Sequence, residues 1–237
     1  ASDRLLFSAA DYLDLSKSQT FTALQGLLAD EETKILLSMF LLASARKNLS
    51  MCSFRLFGVE KPKEEVWSTK VTDEDLENAV EDEFGVKYSK DWKRLLKAPM
   101  SLSGKYSIRK GVKMIGDRAF FLCRSLTNIN IPNSVTTIGD KAFACCESLT
   151  NINIPNSITT IENSTFENCK SLTNLNIPNS VTTIGGYAFS GCDSLISINI
   201  PNSVTTIEDG AFSGCTQLPS HIKSDIIQRF GEKVFNF

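Results

Sequence analysis

The stretch Ile131–Asn153 reads IPNSVTTIGDKAFACCESLTNIN, and close copies of it start at Ile154, Ile177 and Ile200, with a more divergent copy from Ile108. Phe120, Phe143, Phe166, Phe189 and Phe212 are each 23 residues apart. The same spacing relates Cys123, Cys146, Cys169, Cys192 and Cys215, and also Leu126, Leu149, Leu172, Leu195 and Leu218. A fixed period in the twenties marks stacked supersecondary units, hence a solenoid. Such a stack offers a long surface, usually for binding, and no ready-made catalytic cleft.

Each part of the unit has a mechanical reading. In LTNINI, Leu149, Ile152 and Ile154 sit where a short strand turns apolar side chains inward, and Asn153 between the isoleucines faces out. Pro155-Asn156-Ser157 is turn chemistry that ends the strand. Val135 and Ile138 of VTTI form a second short extended arm, rich in β-branched residues. Ala142 and Phe143 then point inward from a helical turn or a tight loop, and Cys146 and Leu149 close the coil. One coil cannot bury its own apolar stripe. Stacking buries each Phe against the Phe above and below, worth roughly 1.5–3 kcal/mol per side chain.

The motif I-P-x-S-V-x-x-I-G-x-x-A-F-x-x-C-x-S-L-x-x-I, in five tandem copies over Ile108–Leu218, resembles the Treponema-type, BspA-like leucine-rich repeats of bacterial surface proteins. The resemblance implies an α/β leucine-rich-repeat solenoid with a parallel concave sheet. It also implies extracellular adhesion or partner binding, at the cell surface or after secretion. The copy number here is smaller than such adhesins usually carry, which limits the wrapping surface.

A solenoid needs polar caps over its open ends. Beyond Leu218, Ile222, Ile226, Ile227, Phe230 and Val234 recur at helical spacing and Gly231 is a helix stop, so 220–237 reads as a C-terminal capping helix. Over residues 71–107 the sequence predicts an N-terminal cap. Val71–Phe84 reads as a helix with Thr72 as N-cap and acids in its first turn. Val86–Ser89 and Lys93–Leu96 read as a hairpin around Lys90-Asp91-Trp92. The segment 1–70 reads as helices at Phe21–Leu28 and Glu31–Lys47 and a strand at Ser50–Gly58. In the first coil of the 108–219 solenoid, Met114, Phe121 and Leu122 replace smaller or polar residues of the other coils, so the N-terminal segment is expected to dock there.

Composition narrows the function classes. Lys+Arg 25 against Asp+Glu 27 leaves a formal charge of −2, which suggests neither nucleic acid nor an anionic membrane as partner. The one long apolar run, Ile35–Ala45, is about half the ~20 residues needed to span a bilayer, so no transmembrane segment is expected. Its acidic flank also argues against a signal peptide. A start at Ala1-Ser2-Asp3, without an initiator Met, leaves room for a natural leader, so surface and cytoplasmic locations both stay open.

The seven cysteines contain no C-x-x-C pair, and His221 is the only histidine, so the usual zinc signatures are absent. Equivalent cysteines would stack about 4.8 Å apart with parallel side chains, whereas disulfides want Cβ atoms about 3.8 Å apart. The ladder thiols are therefore expected free and buried. Cys215 and His221 could form a nucleophile–base pair, but one belongs to the core ladder and the other to the cap helix. The acidic run Asp73–Glu83 lacks the alternating ligands and central Gly of a calcium loop. No phosphate loop appears. The reading is a non-enzymatic interaction module with no catalytic, cofactor or metal residues.

What remains is surface. Asn130, Asn153, Asn176 and Asn199 form one outward column on the concave strands, beside Asn128, Asn151, Asn174 and Ser197. These amides either bond one another along the stack or present a polar, uncharged face to a protein or a glycan. Near-identity from coil to coil counts against a selective pocket there, because hot spots favour Trp, Tyr and Arg. The variable positions lie at Gly139-Asp140-Lys141, Glu162-Asn163-Ser164, Gly185-Gly186-Tyr187 and Glu208-Asp209-Gly210. Lys141, Glu162, Tyr187 and Asp209 on this loop edge are the better candidates for selective contact with a protein partner. Two other readings remain: an intracellular scaffold of the same architecture, and an activity carried by residues 1–70 that the repeats only target.

Overall fold

The four 23-residue units from Ile108 to Asn199 each fold into one coil of two short strands and a run of turns, and the fifth, from Ile200, keeps only the first strand before a helix begins. The computed structural model describes residues 68–236, which belong to the second of two units, Val66–Phe237. The helices and strand expected before residue 59, and the apolar run Ile35–Ala45, lie outside the described residues.

Before the coils come α1 (Asp73–Glu77), β1 (Val80–Glu81), β2 (Lys87–Tyr88), β3 (Arg94–Lys97) and β4 (Gly104–Ser107). The TTI arms of successive coils give β5 (Met114–Ile115), β7 (Thr137–Ile138), β9 (Thr160–Ile161), β11 (Thr183–Ile184) and β13 (Thr206–Ile207). The LTNIN arms give β6 (Leu126–Asn130), β8 (Asn151–Ile152), β10 (Asn174–Asn176) and β12 (Ser197–Asn199). The chain closes with α2 (Ser220–Phe230) and a 3-10 turn over Glu232–Phe235. Coil-to-coil pairing is parallel and in register at the sequence period: Ile129 faces Ile152, Leu175 faces Ile198, and Ile184 lies between Ile161 and Ile207.

The five repeat phenylalanines are buried and stand in single file. Successive ring centroids from Phe120 to Phe212 lie 5.1, 5.5, 5.5 and 5.4 Å apart, with planes within 13° of parallel. Tyr106 extends the file at one end at 6.0 Å. Phe235 extends it at the other at 5.8 Å, although the sequence reading ended the repeats at Leu218. The backbone ladder beside the rings continues in step: Phe189 N–H donates to Ala211 and Phe212 N–H donates to Val234, each at 2.8 Å. The last turn is thus a rudimentary sixth coil whose strand arms are replaced by α2.

The six described cysteines are free thiols. Each ladder Sγ donates to a carbonyl of the preceding layer: Cys146 to Phe120, Cys169 to Phe143, Cys192 to Phe166 and Cys215 to Phe189, at 3.2–3.3 Å. Burial pushes these thiols up, to about 12 for Cys123 and Cys215. They are therefore protonated donors inside the core.

The convex side holds turns where the sequence reading allowed a helical turn, so the stack is a β-solenoid and not the expected α/β form. The cause is local. Every coil places two residues in the left-handed region, one at Arg118, Lys141, Ser164, Tyr187 and Gly210, the other at Leu122, Cys145, Asn168, Gly191 and Gly214. Two such residues four apart interrupt any right-handed helical run.

Both sheets are interrupted at one junction. β5 pairs with β7, and β9 with β11 and β13, but β7 does not pair with β9; nor does β8 pair with β10. Thr182 N–H donates to Thr159 and Gly185 N–H to Ile161, whereas Thr159 and Glu162 make no equivalent bonds. At this seam the Ser157 hydroxyl donates to the carbonyl of Val135 in the coil before it. The convex ladder stays intact there, with Lys141 N–H donating to Asn163 at 3.0 Å and Phe143 N–H to Thr165 at 2.9 Å.

Ahead of the coils, the helix is much shorter than the expected 71–84. Thr72 caps α1 in a reciprocal box with Asp75. Asn78 then ends it, and Val80–Glu81 pairs antiparallel with β2. The Asp82 Oδ1 accepts N–H groups of Phe84 and Val86, and Gly85 takes a positive φ of 75°, so a hairpin turn wins over the helical pattern. β2 pairs antiparallel with β3, and β3 pairs parallel with β5, so this sheet runs directly into the first coil. Tyr106 on β4 donates to Asp82 Oδ2 at 2.6 Å and touches the Tyr88 hydroxyl, tying the hairpins to the first coil. Arg94 grips Asp75 with both terminal nitrogens, at 2.6 and 3.2 Å. Met114 is buried, and Phe121 and Leu122 are half-buried. The docking expected there concerns residues outside those described, apart from Thr69, whose carbonyl accepts from Asp117 N–H at 2.8 Å.

Candidate functional site

The loop edge is built on a side-chain ladder that the repeat period dictates. Asp117 Oδ1 accepts the N–H of Asp140 at 3.1 Å, Asp140 Oδ1 accepts that of Asn163 at 3.2 Å, and Asn163 Oδ1 accepts that of Gly186 at 2.9 Å. Each carboxylate or amide thus reaches the next coil's backbone. A Cβ at Gly139 would lie 2.2 Å from Asp117 Oδ1, so the glycine makes room for the ladder.

At Gly186 the ladder ends, because glycine has no side chain to pass on. Glu208 Oε2 reaches back from the next coil and accepts the same Gly186 N–H at 3.0 Å. Beside this gap Tyr187 takes a φ of 57° and its ring lies over Gly210, where a Cβ would meet the ring at 2.5 Å. Tyr187 is 40% exposed. The gap opens into a cavity of about 520 Å³ lined by Asn163, Tyr187, Ile207, Glu208, Asp209 and Lys233 among others. Lys233 Nζ is 3.0 Å from Asp209 Oδ1.

The edge is acidic. Burial pushes the Glu162 carboxyl up, and the neighbouring charges of Asp140, Asp117 and Glu208 push the same way. Among the described residues Asp117, Asp140, Glu162 and Glu208 pair with no cation. The structure therefore places Tyr187 and Asp209 together at one cavity. Glu162 lies along the same edge, near enough to feel Glu208, and Lys141 occupies Tyr187's position two coils away. Lys233 escaped the sequence reading. The available signal was the period itself, since Lys233 stands 23 residues after Gly210, whose N–H donates to its carbonyl at 2.9 Å.

Asn130, Asn153, Asn176 and Asn199 are all exposed on the other face. Of the possible bonds within this column, Asn199 Nδ2 to Asn176 Oδ1 at 3.1 Å is present. A shallow, uncharged cavity of about 470 Å³ lies against Asn156, Asn176, Asn179 and Asn199. Among the described residues the face offers amides and no aromatic anchor. Ile196, 50% exposed where earlier coils carry Thr, is its one apolar departure.

Cys215 and His221 are not a nucleophile and base: the thiol points inward to the Phe189 carbonyl, and His221 is exposed on α2. Among the described residues no group of three or more His, Cys, Asp or Glu is arranged to hold a metal ion. No described helix is long and apolar enough to cross a membrane.

Comparison with known proteins agrees with this architecture. A leucine-rich cell surface protein from Faecalibacterium prausnitzii is similar at 34% identity and a TM-score of 0.59, over 66% of this chain and 43% of that one. The pneumococcal vaccine antigen PcpA shares the fold at 20% identity and a TM-score of 0.51, over 67% of this chain and 47% of its own. The chain thus spans less than half the length of either protein. No curated protein matches it. The family model for the BspA-type leucine-rich-repeat region matches six copies over residues 102–236, in accord with the sixth layer at Phe235. The chain belongs to the BspA-type leucine-rich-repeat family.

Proposed function

We propose that this chain is a non-enzymatic protein-interaction module of a bacterial surface or secreted protein, and that selective contact is made at the loop edge around Tyr187. Leucine-rich-repeat proteins are generally protein-interaction modules, and a similar solved structure is described as a cell surface protein. One observation carries the choice of edge. Tyr187, a residue type that favours binding hot spots, stands exposed beside a cavity on the side where the coils differ. The opposite face repeats the same amides and lacks a bulky aromatic anchor.

The test is capture of protein partners from bacterial surface and host matrix extracts by the immobilised chain, its Tyr187→Ala variant and its Asn176→Ala variant. The proposal expects capture by the parent and the Asn176 variant, and loss with Tyr187→Ala. Capture that survives Tyr187→Ala and fails with Asn176→Ala would move the contact to the sheet face. Protease shaving of intact cells tests location: loss of the protein from shaved cells is expected, and full protection contradicts a surface position.

A further inference from the structure

We propose that the cavity beside Tyr187 recognises an arginine side chain presented by the partner, with the guanidinium against the Tyr187 ring and Glu208. The inference rests on the reading of the Tyr187 edge as the contact surface and adds the chemistry of what it accepts.

Several independent features of the cavity favour this occupant. The wall is apolar at Tyr187 and Ile207, which suits the aliphatic stem of a long side chain. The Tyr187 ring packs against Gly210 on one side and is 40% exposed, so it offers an aromatic surface to a ligand in the cavity. The charge at the rim is negative in excess. Among the described residues Lys233 is the one cation lining the cavity and it pairs with Asp209 at 3.0 Å, while the Glu208 carboxylate has a single backbone N–H donor and no cation. An anionic ligand would meet the Glu208 carboxylate. A purely apolar side chain would desolvate Glu208 without replacing its water. A planar cation with several donors stacks on the ring and serves the carboxylate together. The site exists only at this coil, because Gly186 stands where other coils carry Asp117, Asp140, Asn163 and Asp209.

The experiment uses the full chain, labelled with nitrogen-15, titrated with N-acetyl-arginine amide and, separately, with N-acetyl-citrulline amide, which has nearly the same shape and no charge. The inference expects saturable shifts at the amides of Gly186, Tyr187 and Glu208 with the arginine probe, and binding about tenfold weaker with citrulline. Glu208→Gln keeps an acceptor for Gly186 N–H and should lower arginine affinity to that of citrulline. Gly186→Asn, which restores the side chain of the preceding coil, should abolish both. Equal binding of the two probes, shifts centred elsewhere, or no shifts at these amides overturns the inference. If those shifts are absent while Tyr187→Ala still abolishes partner capture, the edge reading stands and the arginine assignment falls. If the arginine shifts appear but Tyr187→Ala leaves capture intact, the pocket chemistry stands and the edge reading falls.

Discussion

The rings of Phe143 and Phe166 lie 5.5 Å apart with planes 4° from parallel, across the one coil junction where both sheets lose their pairing. Continuity there rests on the aromatic file and the convex hydrogen-bond ladder. The middle of the stack therefore depends on side-chain packing more than its ends do.

Truncating the ring at this junction should be the most damaging single change among the phenylalanines. Phe166→Ala is expected to cost about 3–5 kcal/mol, read as a drop in the midpoint of urea unfolding with the slope retained. Phe166→Leu, which keeps most of the volume, should cost clearly less. A Phe166→Ala midpoint within error of the parent would mean the file does not hold the stack.

The seam should also be visible in solution. Amide hydrogen exchange at Thr159 and Glu162 is expected to be faster than at Thr182 and Gly185, the equivalent positions of the next coil, which donate to Thr159 and Ile161. Equal protection at both pairs would show that the sheets are continuous across residues 153–160.

The buried thiols predict an alkaline limit to stability. Their folded values lie above the ordinary value of 9.0, to about 12 for Cys123 and Cys215. A group whose folded value is raised contributes fully below its unfolded value and loses that contribution as pH climbs toward the folded one. Stability should therefore fall between about pH 9 and 12, and the fall should be smaller in a Cys169→Ala variant measured against its own neutral-pH baseline. In native protein at pH 8, a thiol reagent should label the half-buried Cys145 before any ladder cysteine. Mass spectrometry that found ladder cysteines joined in pairs would contradict the free-thiol core.

Acid acts at the other end of the chain. Burial raises the Asp75 carboxyl, but the bonds from Arg94 and Thr72 outweigh it and hold the group below its usual value of 3.8. A lowered value gives stability that is present above the unfolded value and lost as pH falls through the folded one. The loss should thus appear below about pH 4. Arg94→Met should cost about 2 kcal/mol at pH 7 and flatten this acid dependence, as read by thermal unfolding at pH 7 and pH 3. An unchanged acid profile in Arg94→Met would remove the pair from the account.

Much of this fold is legible in the sequence because the period writes it column by column. Phe143, Cys146, Leu149 and Ile152 recur at one spacing, and identical coils can bury such residues only by stacking. Three things were not legible, for physical reasons. The sixth layer was hidden because α2 replaces its strands, leaving Val234-Phe235 as the remnant of the Ala-Phe pair. The Val71–Phe84 helix pattern yields to Asp82 and Gly85, whose turn lets Val80–Glu81 join a sheet, and local propensity is weaker than that pairing. The cavity at Tyr187 needs an absent side chain at Gly186 and a lysine from the terminal turn, a juxtaposition that only the coil register creates. Lys141, Glu162, Tyr187 and Asp209 were readable as variable surface, but not which of them share a pocket.

A crystal structure of the full chain tests the central claim most directly. The account predicts that the ring centroids of Phe120, Phe143, Phe166, Phe189 and Phe212 lie in one file at about 5 Å steps with parallel planes, and that Phe235 continues it. Rings dispersed among separate clusters, or a Phe235 turned to solvent, would contradict it.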